Sequence, residues 1–513
     1  MIMVINVGLK NARCIIFGNE GNVAADYSNS LQTSINNDHV EQSPREWWSQ
    51  TQFVTSKAVK SVGERARDIE HVTLTTSASC LVILDKNMKL LRDSILVSDT
   101  RAIKEAEMLG ENVLFREIKK NNGIKSSPDL MIPKIMWLSK HEPHIFEKAK
   151  YFLNISDYLT FMLTGEFVTD KNNASKFHFQ NDIGEYPYDL MHNLNIQGKE
   201  FSSVVPIGSV IGKILPSVAE DLGIPNSCKM VMATYDALSA VVGNGAFEVG
   251  DAVDVSGTVT SFRLVSSKKL RDPKDRIYVT PHLNDKDWLC GGSNNLGGGV
   301  IEWAKQLFFD NDPNAYEIMQ LLVENSQACP GGLLFLPYLL GERTPLWNPD
   351  CRGTFFGVNR AHTKDDFIKS IFEGVGFSVL SIASVLRELG GSINKVIVAG
   401  GLSRIGIINQ VKADMLNTKV LKYSNFETTA IGAALIAMVG VGKYNKIEEA
   451  FNAFCTLENV YEPNAVNARI YSNYFEIYMG VYNDLQQSFI GRARLLDKLK
   501  LEFIDELVIK EDL

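Results

Sequence analysis

Residues 253–265 read VDVSGTVTSFRLV and residues 4–17 read VINVGLKNARCIIF, so that in both places a β-rich run ends at a glycine and a second run follows. Runs of valine, isoleucine and threonine on either side of a short glycine-containing turn predict a β-hairpin. Gly8 and Gly257 hold the same place in the two hairpins. We therefore expect a chain that is duplicated on the scale of a domain, with one hairpin opening each half.

Strand and helix patterns alternate outward from the two hairpins. The patterns predict strands at 72–75 and 395–399 and helices at 46–62, 134–140, 301–308, 364–389 and 407–416. This alternation indicates an α/β fold in which helices are layered on sheets.

The length of the chain predicts two domains. Its 513 residues exceed what one hydrophobic core usually organises. The glycine-rich turn at 243–245 is the signal for a boundary, which we place between 244 and 250. We expect domains at 1–246 and 247–440 with a cleft between them, and a helical tail at 441–513 that packs back on the domains.

Composition argues against several classes of function. The formal charge of −8 does not suit a nucleic-acid partner or an anionic membrane, because both need clustered lysines and arginines. The seven cysteines are scattered without a Cys-x-x-Cys pair, which indicates buried thiols in a reducing compartment. The chain has no basic leader and no run of 18 apolar residues, so we expect a cytoplasmic protein.

Three glycine-containing turns are candidates for phosphate binding. They are Ser256-Gly257-Thr258, the glycines at 297–299 before a predicted helix, and Gly400-Gly401 between a predicted strand and a helix. Tight turns of small residues present successive backbone N–H groups to an anion, and a following helix adds its own N-terminal N–H groups. Taken alone, each is also typical of an ordinary turn in an α/β protein. Three of them in one chain favour a nucleotide site.

Asp236 is the candidate for acid–base chemistry. It is the lone acidic residue in the stretch 231–246, where most side chains are small or apolar. Phosphoryl transfer to a hydroxyl group needs a proton acceptor, and one positioned aspartate can be that base. An aspartate at this place could equally cap the start of a helix. The residues by themselves leave both possibilities open.

A set of longer motifs resembles one enzyme family. Residues 353–358 (GTFFGV), followed after seven residues by 366–373 (DFIKSIFE), resemble the C-terminal signature of the FGGY carbohydrate kinases. Residues 337–349 (PYLLGERTPLWNP) are similar to a stretch of the xylulose- and gluconate-kinase branches. Further matches are VEQSPREWW at 40–48, PKIMWL at 133–138, SDYL at 156–159 and LTGE at 163–166, so the resemblance runs from about residue 40 to about residue 440.

The resemblance implies a fold and a division of labour. It implies two ribonuclease-H-like domains of the actin-like ATPase superfold, with a sugar bound in the N-terminal domain and ATP with Mg²⁺ held by the C-terminal domain across a central cleft. Asp236 resembles the family's general base, which faces both the sugar and the metal ion. The resemblance places Ala78, Ser79, Asp99 and Arg101 near the sugar. Beside the nucleotide it places Gly8, Lys10, Gly257, Thr258, Gly298, Ile301, Glu302, Gly400, Gly401 and Ile405.

Three loops that would contact ligand depart from the family pattern. The first phosphate loop has Asn6 and Leu9 where the family has an aspartate and a hydroxyl residue, and Lys10 offers a positive charge instead. Asn6 would hold magnesium through a water molecule, and one negative charge is lost from the surroundings of the metal ion. Ala78-Ser79-Cys80 replaces the Met-His-Gly motif of xylulose kinases, and Leu402 stands where a third glycine is usual.

The resemblance predicts an ATP-dependent kinase that acts on a small-molecule sugar. A ketopentose such as xylulose or ribulose is the first expectation, and gluconate and small polyols follow. The altered loops leave a second class open, in which a silent relative binds a ligand or a protein partner without turnover. We expect no nucleic-acid or membrane partner, and a homodimer remains an option because family members are often dimers.

Overall fold

The computed structural model describes residues 1–283, 286–324, 326–424 and 427–511, and it divides the chain into two units. Of the described residues, unit 1 holds 1–247, 280–283 and 427–456. Unit 2 holds 248–279, 286–324, 326–424 and 457–511.

Strands open both units and supply their sheets. In chain order they are β1 (Ile2–Val7), β2 (Asn11–Phe17), β3 (Val23–Ser30), β4 (Ser34–Asn36), β5 (His39–Gln42), β6 (His71–Thr76), β7 (Val82–Asp85), β8 (Ser94–Ile95), β9 (Ala149–Leu153), β10 (Val168–Asp170), β11 (Ser203–Val205), β12 (Val210–Lys213), β13 (Lys229–Met232), β14 (Asp251–Ser256), β15 (Thr260–Ser266), β16 (Tyr278–Pro281), β17 (Trp288–Ser293), β18 (Leu334–Leu336), β19 (Thr354–Phe356), β20 (Lys395–Ala399), β21 (Val420–Tyr423) and β22 (Leu457–Tyr461).

Helices cover the sheets. They are α1 (Pro44–Val62), α2 (Ile103–Glu111), α3 (Val113–Asn122), α4 (Met131–His141), α5 (Pro143–Lys148), α6 (Ile155–Thr164), α7 (Lys171–Ala174), α8 (Tyr188–Asn193), α9 (Pro216–Leu222), α10 (Asp236–Gly243), α11 (Gly298–Phe309), α12 (Ala315–Val323), α13 (Lys364–Glu388), α14 (Gly406–Leu416), α15 (Thr428–Gly440), α16 (Ile447–Phe454) and α17 (Ala465–Glu511). The strands and helices predicted from the sequence are confirmed, with ends that shift by at most three residues.

The sheet of unit 1 has the strand order β12-β13-β6-β1-β2-β3. β1, β2 and β3 are antiparallel neighbours, whereas β6 lies parallel to β1 and β13 parallel to β6. Both faces of β1 are buried, since α1 and α15 pack against it. This double cover explains why β1 is almost continuously apolar, as strands buried on both faces usually are.

The sheet of unit 2 repeats this arrangement, with the order β16-β17-β15-β14-β20-β21-β22. β14, β15 and β17 are antiparallel neighbours, and β20 and β21 add in parallel beside β14. The duplication predicted from the two hairpins is therefore confirmed in the strand order. The segment 457–461 departs from the predicted helical tail, because it forms β22 and pairs with β21 at the edge of the sheet.

The carboxyl ends of the parallel strands bring the candidate residues together within each unit. In unit 1, β1 ends before Gly8 and β6 ends before Ser77. In unit 2, β14 ends before Gly257 and β20 ends before Gly400. Open α/β sheets bind ligands outside the carboxyl ends of their strands. The fold therefore presents one candidate edge in each unit.

Helix α13 is long and apolar enough to cross a membrane by length and composition alone. In the structure, 94% of the most apolar 18-residue segment of this helix is buried inside the protein. It packs against α14, α12 and β18 of unit 2. Its apolar character is therefore that of a core helix.

A glycine contact between α10 and α15 generates a stability prediction. A Cβ added to Gly432 would lie 1.8 Å from the carbonyl oxygen of Ser239, so Gly432→Ala forces the two helices apart. Overpacking of this kind costs about 1–3 kcal/mol, and we expect a lower midpoint of thermal unfolding. Gly480→Ala is the control, because nothing lies within 4 Å of that position in α17 and alanine favours a helix by about 0.5–1 kcal/mol. Equal midpoints for the two variants would contradict the close packing of α10 on α15.

Candidate functional site

Backbone hydrogen bonds join two glycine loops of unit 2. The turn after β14 contains Gly257 and Thr258, and the loop before α11 contains Gly297, Gly298 and Gly299. The N–H of Gly298 donates to the carbonyl oxygen of Gly257 at 2.8 Å. The N–H groups of Gly297 and Gly299 donate to the carbonyl oxygen of Thr258 at 2.9 and 3.1 Å. The turn is thus held against the start of α11.

The third glycine loop, after β20, approaches the same turn. A Cβ added to Gly400 would lie 2.5 Å from the carbonyl oxygen of Ser256, and the backbone of Gly400 has a φ of +81°. A Cβ on Gly298 would lie 2.6 Å from the carbonyl oxygen of Gly257. Both positions need glycine because there is no room for a side chain, and the first also needs a positive φ.

A cavity of about 720 Å³ lies beside these loops. That volume is in the range of small-molecule and cofactor sites, about 300–1,000 Å³. Six residues predicted to contact the nucleotide line it: Gly257, Thr258, Gly298, Glu302, Gly401 and Ile405.

Four residues predicted beside the nucleotide do not line the cavity: Gly8 and Lys10 belong to unit 1, and Ile301 and Gly400 belong to unit 2. The side chain of Ile301 is fully buried in the hydrophobic cluster under α11 and therefore does not reach the cavity. Gly400 instead supports the turn through its contact with Ser256. Leu402, which replaces a glycine of the family pattern, is buried in the same cluster as Ile301. The loop accommodates this larger residue by burying it.

Of the wall formed by α11 and α12, the sequence analysis predicted Glu302 but missed Trp303, Gln306 and Tyr316. Trp303 and Gln306 follow Glu302 at the helical spacing i+1 and i+4 after the glycine loop, which is a signal that could have identified them. Tyr316 of α12 donates its hydroxyl hydrogen to Oε2 of Glu302 at 2.5 Å, and burial with this carboxylate raises the pKa of Tyr316 to about 12. Other lining residues are Gly299, Glu317, Gln320, Leu402 and Arg404.

In unit 1, Asp236 is the first residue of α10 and is half-buried. Its Oδ1 accepts a hydrogen bond from the N–H of Ala237 at 2.7 Å, and its Oδ2 accepts one from the hydroxyl of Ser77 at 3.1 Å. Burial raises the pKa of Asp236, while the two hydrogen bonds and the charge of Lys176 lower it. A half-buried carboxylate with a raised pKa has the properties of a general base.

The turn that carries Asp236 is supported from the strand before α7. The hydroxyl of Thr234 donates to Oδ1 of buried Asp170 at 3.0 Å. Lys176 lies with its Nζ 4.6 Å from the ring centroid of Tyr235, the residue before Asp236. The carboxylate of Asp236 therefore follows a hydrogen-bonded turn, and the ammonium group of Lys176 lies near that turn.

Ala78 and Ser79 lie in the loop after β6, which Lys134 holds in place. The carbonyl oxygen of Ser79 accepts a hydrogen bond from Nζ of Lys134 at 2.6 Å. The same Nζ donates to the carbonyl oxygens of Leu96 and Asp129 at 2.8 and 3.1 Å, and Lys134 is fully buried. Three acceptors match the three donors of an ammonium group. Lys134, which the sequence offered only as part of a motif, thus positions the predicted sugar loop.

Asp99 and Arg101 form a buried ion pair. Nη2 of Arg101 lies 2.6 Å from Oδ2 of Asp99 and 2.6 Å from Oε1 of Glu41. The guanidinium also lies 4.9 Å from the ring centroid of Trp137, and the N–H of Val40 donates to Asp99 at 2.6 Å. Nη1 of this guanidinium is buried without a hydrogen-bond partner. A sugar contact of the pair stays a prediction.

The loop predicted to be the first phosphate loop follows β1. Asn6 is half-buried and stands opposite Arg13 of β2, with the two residues paired across the ladder. Arg13 forms ion pairs with Asp26 and Glu427. The N–H of Gly8 donates to the carbonyl oxygen of Asn11 and closes the turn, while Lys10 is exposed. The structure therefore adds a cation beside Asn6 that the sequence analysis did not consider.

Gln42 stabilises this loop by hydrogen bonds. Its Nε2 donates to the carbonyl oxygen of Leu9 at 2.6 Å and to the hydroxyl of Thr33 at 2.8 Å. Its Oε1 accepts a hydrogen bond from Nε1 of Trp47 at 2.7 Å. The motif at 40–48 thus shapes the loop by hydrogen bonding. Among the described residues, no group of three or more His, Cys, Asp or Glu side chains is arranged to hold a metal ion.

Comparisons with known proteins cover both units. Residues 1–243 match the N-terminal domain, and residues 252–441 the C-terminal domain, of the FGGY family of carbohydrate kinases. The xylulose kinase of Bacillus subtilis is 28% identical over 497 residues, which cover 94% of this chain and 96% of the relative. The gluconokinase of the same organism is 26% identical over 522 residues, with 98% and 97% covered.

A solved structure shows the same fold. The crystal structure of xylulose kinase from Rhodospirillum rubrum matches with a TM-score of 0.88 at 24% sequence identity, covering 95% of this chain and 99% of that one. The predicted α/β fold of two actin-like ATPase domains is confirmed by this likeness.

The substitution Gly401→Ala tests whether the cavity binds a nucleotide. An added Cβ would meet nothing within 4 Å, although the residue lines the cavity, so the methyl group of Gly401→Ala enters ligand space without disturbing the protein. We expect an unchanged midpoint of unfolding and an affinity for ADP, measured by calorimetry, that falls about tenfold or more because of overpacking. Gly212→Ala in β12, which is also unobstructed, is the control. Equal ADP affinities for the two variants would place the nucleotide elsewhere.

Proposed function

Since the chain belongs to the FGGY family of carbohydrate kinases, we propose that it transfers the γ-phosphoryl group of ATP to a hydroxyl group of a ketopentose such as xylulose or ribulose. The observation that carries this proposal is Asp236, a half-buried carboxylate held by two hydrogen bonds at the place of the family's base. The similarity to a xylulose kinase over 94% of the chain supports the choice of acceptor.

Asp236 acts on the proton of the acceptor. Its carboxylate accepts that proton as the hydroxyl oxygen forms a bond to the γ-phosphorus and the bond to the bridging oxygen of ADP breaks. The hydrogen bonds from Ser77 and from the N–H of Ala237 orient the carboxylate. The raised pKa makes it a stronger base than an exposed aspartate.

We assign ATP to the cavity beside the glycine loops of unit 2. The N–H and the hydroxyl of Thr258 suit phosphate oxygens, whereas the N–H groups of Gly257 and of residues 297–299 already donate within the loops. Trp303 and Tyr316 offer aromatic faces to the adenine ring of ATP, and Gln306 offers an amide group. These groups give the cavity a polar end and an aromatic end, as ATP requires.

Magnesium fits the proposed site as an ion carried mainly by the nucleotide. Mg²⁺ commonly keeps several waters and takes only one or two protein carboxylates besides phosphate oxygens. Asp236 and, through water, Asn6 are the protein groups proposed to face it. When bound, the ion neutralises charge on the transferred phosphoryl group.

Gluconate is the second candidate acceptor. The gluconokinase of B. subtilis matches 98% of the chain. Lys176 lowers the pKa of Asp236 through its positive charge, which places a cation near the proposed acceptor. Such a cation would complement the carboxylate of a sugar acid.

Asp236→Asn tests the base, because it keeps the size of the side chain and removes the proton acceptor. We expect acceptor-dependent release of ADP to fall about 100-fold or more, while the affinity for ADP stays unchanged. A coupled assay with magnesium-ATP against ketopentoses, gluconate and polyols makes the measurement. Asp221→Asn, an exposed carboxylate of the same unit, is the matched control.

The same assay decides whether the wild-type protein turns over. If the protein binds ADP but no acceptor increases the release of ADP, we would conclude that it is a silent relative and not an active kinase. Asn6→Asp restores the carboxylate of the family pattern in that case, and a gain of turnover would identify Asn6 as the cause. Full activity of Asp236→Asn would remove this residue from the role of base.

The pH dependence of kcat/KM provides a second test of Asp236. The ionised carboxylate is the active form, so kcat/KM falls as the pH drops through its raised pKa. Ser77→Ala removes a hydrogen bond to the ionised form, which raises the pKa further. We therefore expect the acidic limb of the profile to move to higher pH. Ser61→Ala, at an exposed position of α1, should leave the limb in place, and an unmoved limb in Ser77→Ala would contradict the assignment.

A further inference from the structure

Lys412 and Asp254 form an ion pair inside unit 2. Lys412, on α14, is 1% exposed, and Asp254, on β14, is fully buried. Nζ of Lys412 lies 2.7 Å from Oδ2 of Asp254 and 3.0 Å from the hydroxyl oxygen of Ser256. Moving two charges out of water is costly, and well-packed apolar residues of similar volume are often as stable. Stability alone therefore does not explain an ion pair at this place.

The ion pair is joined to the base of the turn that carries Gly257. The hydroxyl of Ser256 donates to Oδ1 of Asp254, and it lies 3.0 Å from Oγ1 of Thr260. Ser256 and Thr260 face each other as the last pair of the β14–β15 ladder. The network thus spans both strands where they leave the ladder and enter the turn.

The other two glycine loops depend on the same residues. The carbonyl oxygen of Ser256 is the atom that Gly400 approaches, and α14, which carries Lys412, begins six residues after that glycine. The N–H of Asn294, in the loop before α11, donates to the carbonyl oxygen of Thr260 at 3.0 Å. Lys412 therefore connects α14 to the strand pair on which all three loops rest.

We propose that Lys412, together with Asp254, is a positioning residue for nucleotide binding. The pair sets the position of Ser256, and thereby the direction in which the N–H of Thr258 points, without touching the nucleotide. This inference rests on the proposed function, because it requires phosphate groups to bind at that turn.

A second ion pair on the same strand supplies the control. Asp251 at the start of β14 pairs with Lys395 at the start of β20, with Nζ 3.2 Å from Oδ2. The two residues stand opposite each other in the parallel ladder, at the end remote from the turn. Lys395→Met therefore removes an ion pair from the same strand while leaving the turn at Gly257 and Thr258 unchanged.

Three variants separate positioning from structural support. Lys412→Met leaves the carboxylate of Asp254 buried without its cation, so we expect a lower midpoint of unfolding and weaker binding of ADP. The double variant Lys412→Met with Asp254→Leu removes the buried charge as well, so we expect the midpoint to recover. Its affinity for ADP, measured by calorimetry, should stay about tenfold or more below that of the wild type, because the hydrogen bonds to Ser256 are still missing.

Kinetic constants give a readout that structural support would not move. We expect KM for ATP to rise in the double variant while KM for the sugar stays unchanged, and Lys395→Met to change neither constant. If the double variant binds ADP as tightly as the wild type does, the positioning role of Lys412 is overturned, while the proposed function stands. If the wild-type protein binds no nucleotide, the proposed function fails, and the inference fails with it.

Discussion

The contact on which the proposed nucleotide site depends is the hydrogen bond from the N–H of Gly298 to the carbonyl oxygen of Gly257, 2.8 Å long. It brings two backbones so close that a Cβ on Gly298 would lie 2.6 Å from that oxygen. Gly400 closes on Ser256 in the same way. Because glycine is the only residue that fits, the turn, the start of α11 and the loop after β20 can share one cavity wall.

The repeated sheet explains why each unit offers a site at one edge. In unit 1 the parallel strands end beside Asn6, Ser77 and the turn before Asp236, whereas in unit 2 they end at glycine loops. A side chain at a strand end can accept a proton, while a glycine loop lets phosphate oxygens approach the backbone closely. One strand arrangement, used twice, thus provides for the two chemical demands of the proposed reaction.

The sequence predicted the elements and the glycine loops well, because hydrophobic period and turn composition act locally. The family resemblance placed Ile301 beside the nucleotide, whereas the rotation of α11 puts its side chain in the core and brings Trp303, which was not predicted, to the cavity. Packing decides that rotation, and no local pattern reports it. The pair Lys412 and Asp254 was also out of reach, since it joins two distant segments only after the sheet has formed. The roles of Asp236, Asp99 and Arg101 remain predictions.

Phosphorus NMR of the wild-type protein with magnesium-ATP and xylulose is the most direct measurement of the proposed phosphoryl transfer. The spectrum should gain a sugar phosphate monoester signal that grows in step with ADP, because the γ-phosphoryl group moves to a hydroxyl oxygen. Gluconate in place of xylulose would give the same signal if the acid is the acceptor. Release of ADP with inorganic phosphate alone, or an unchanged spectrum with both acceptors, would contradict transfer to these sugars.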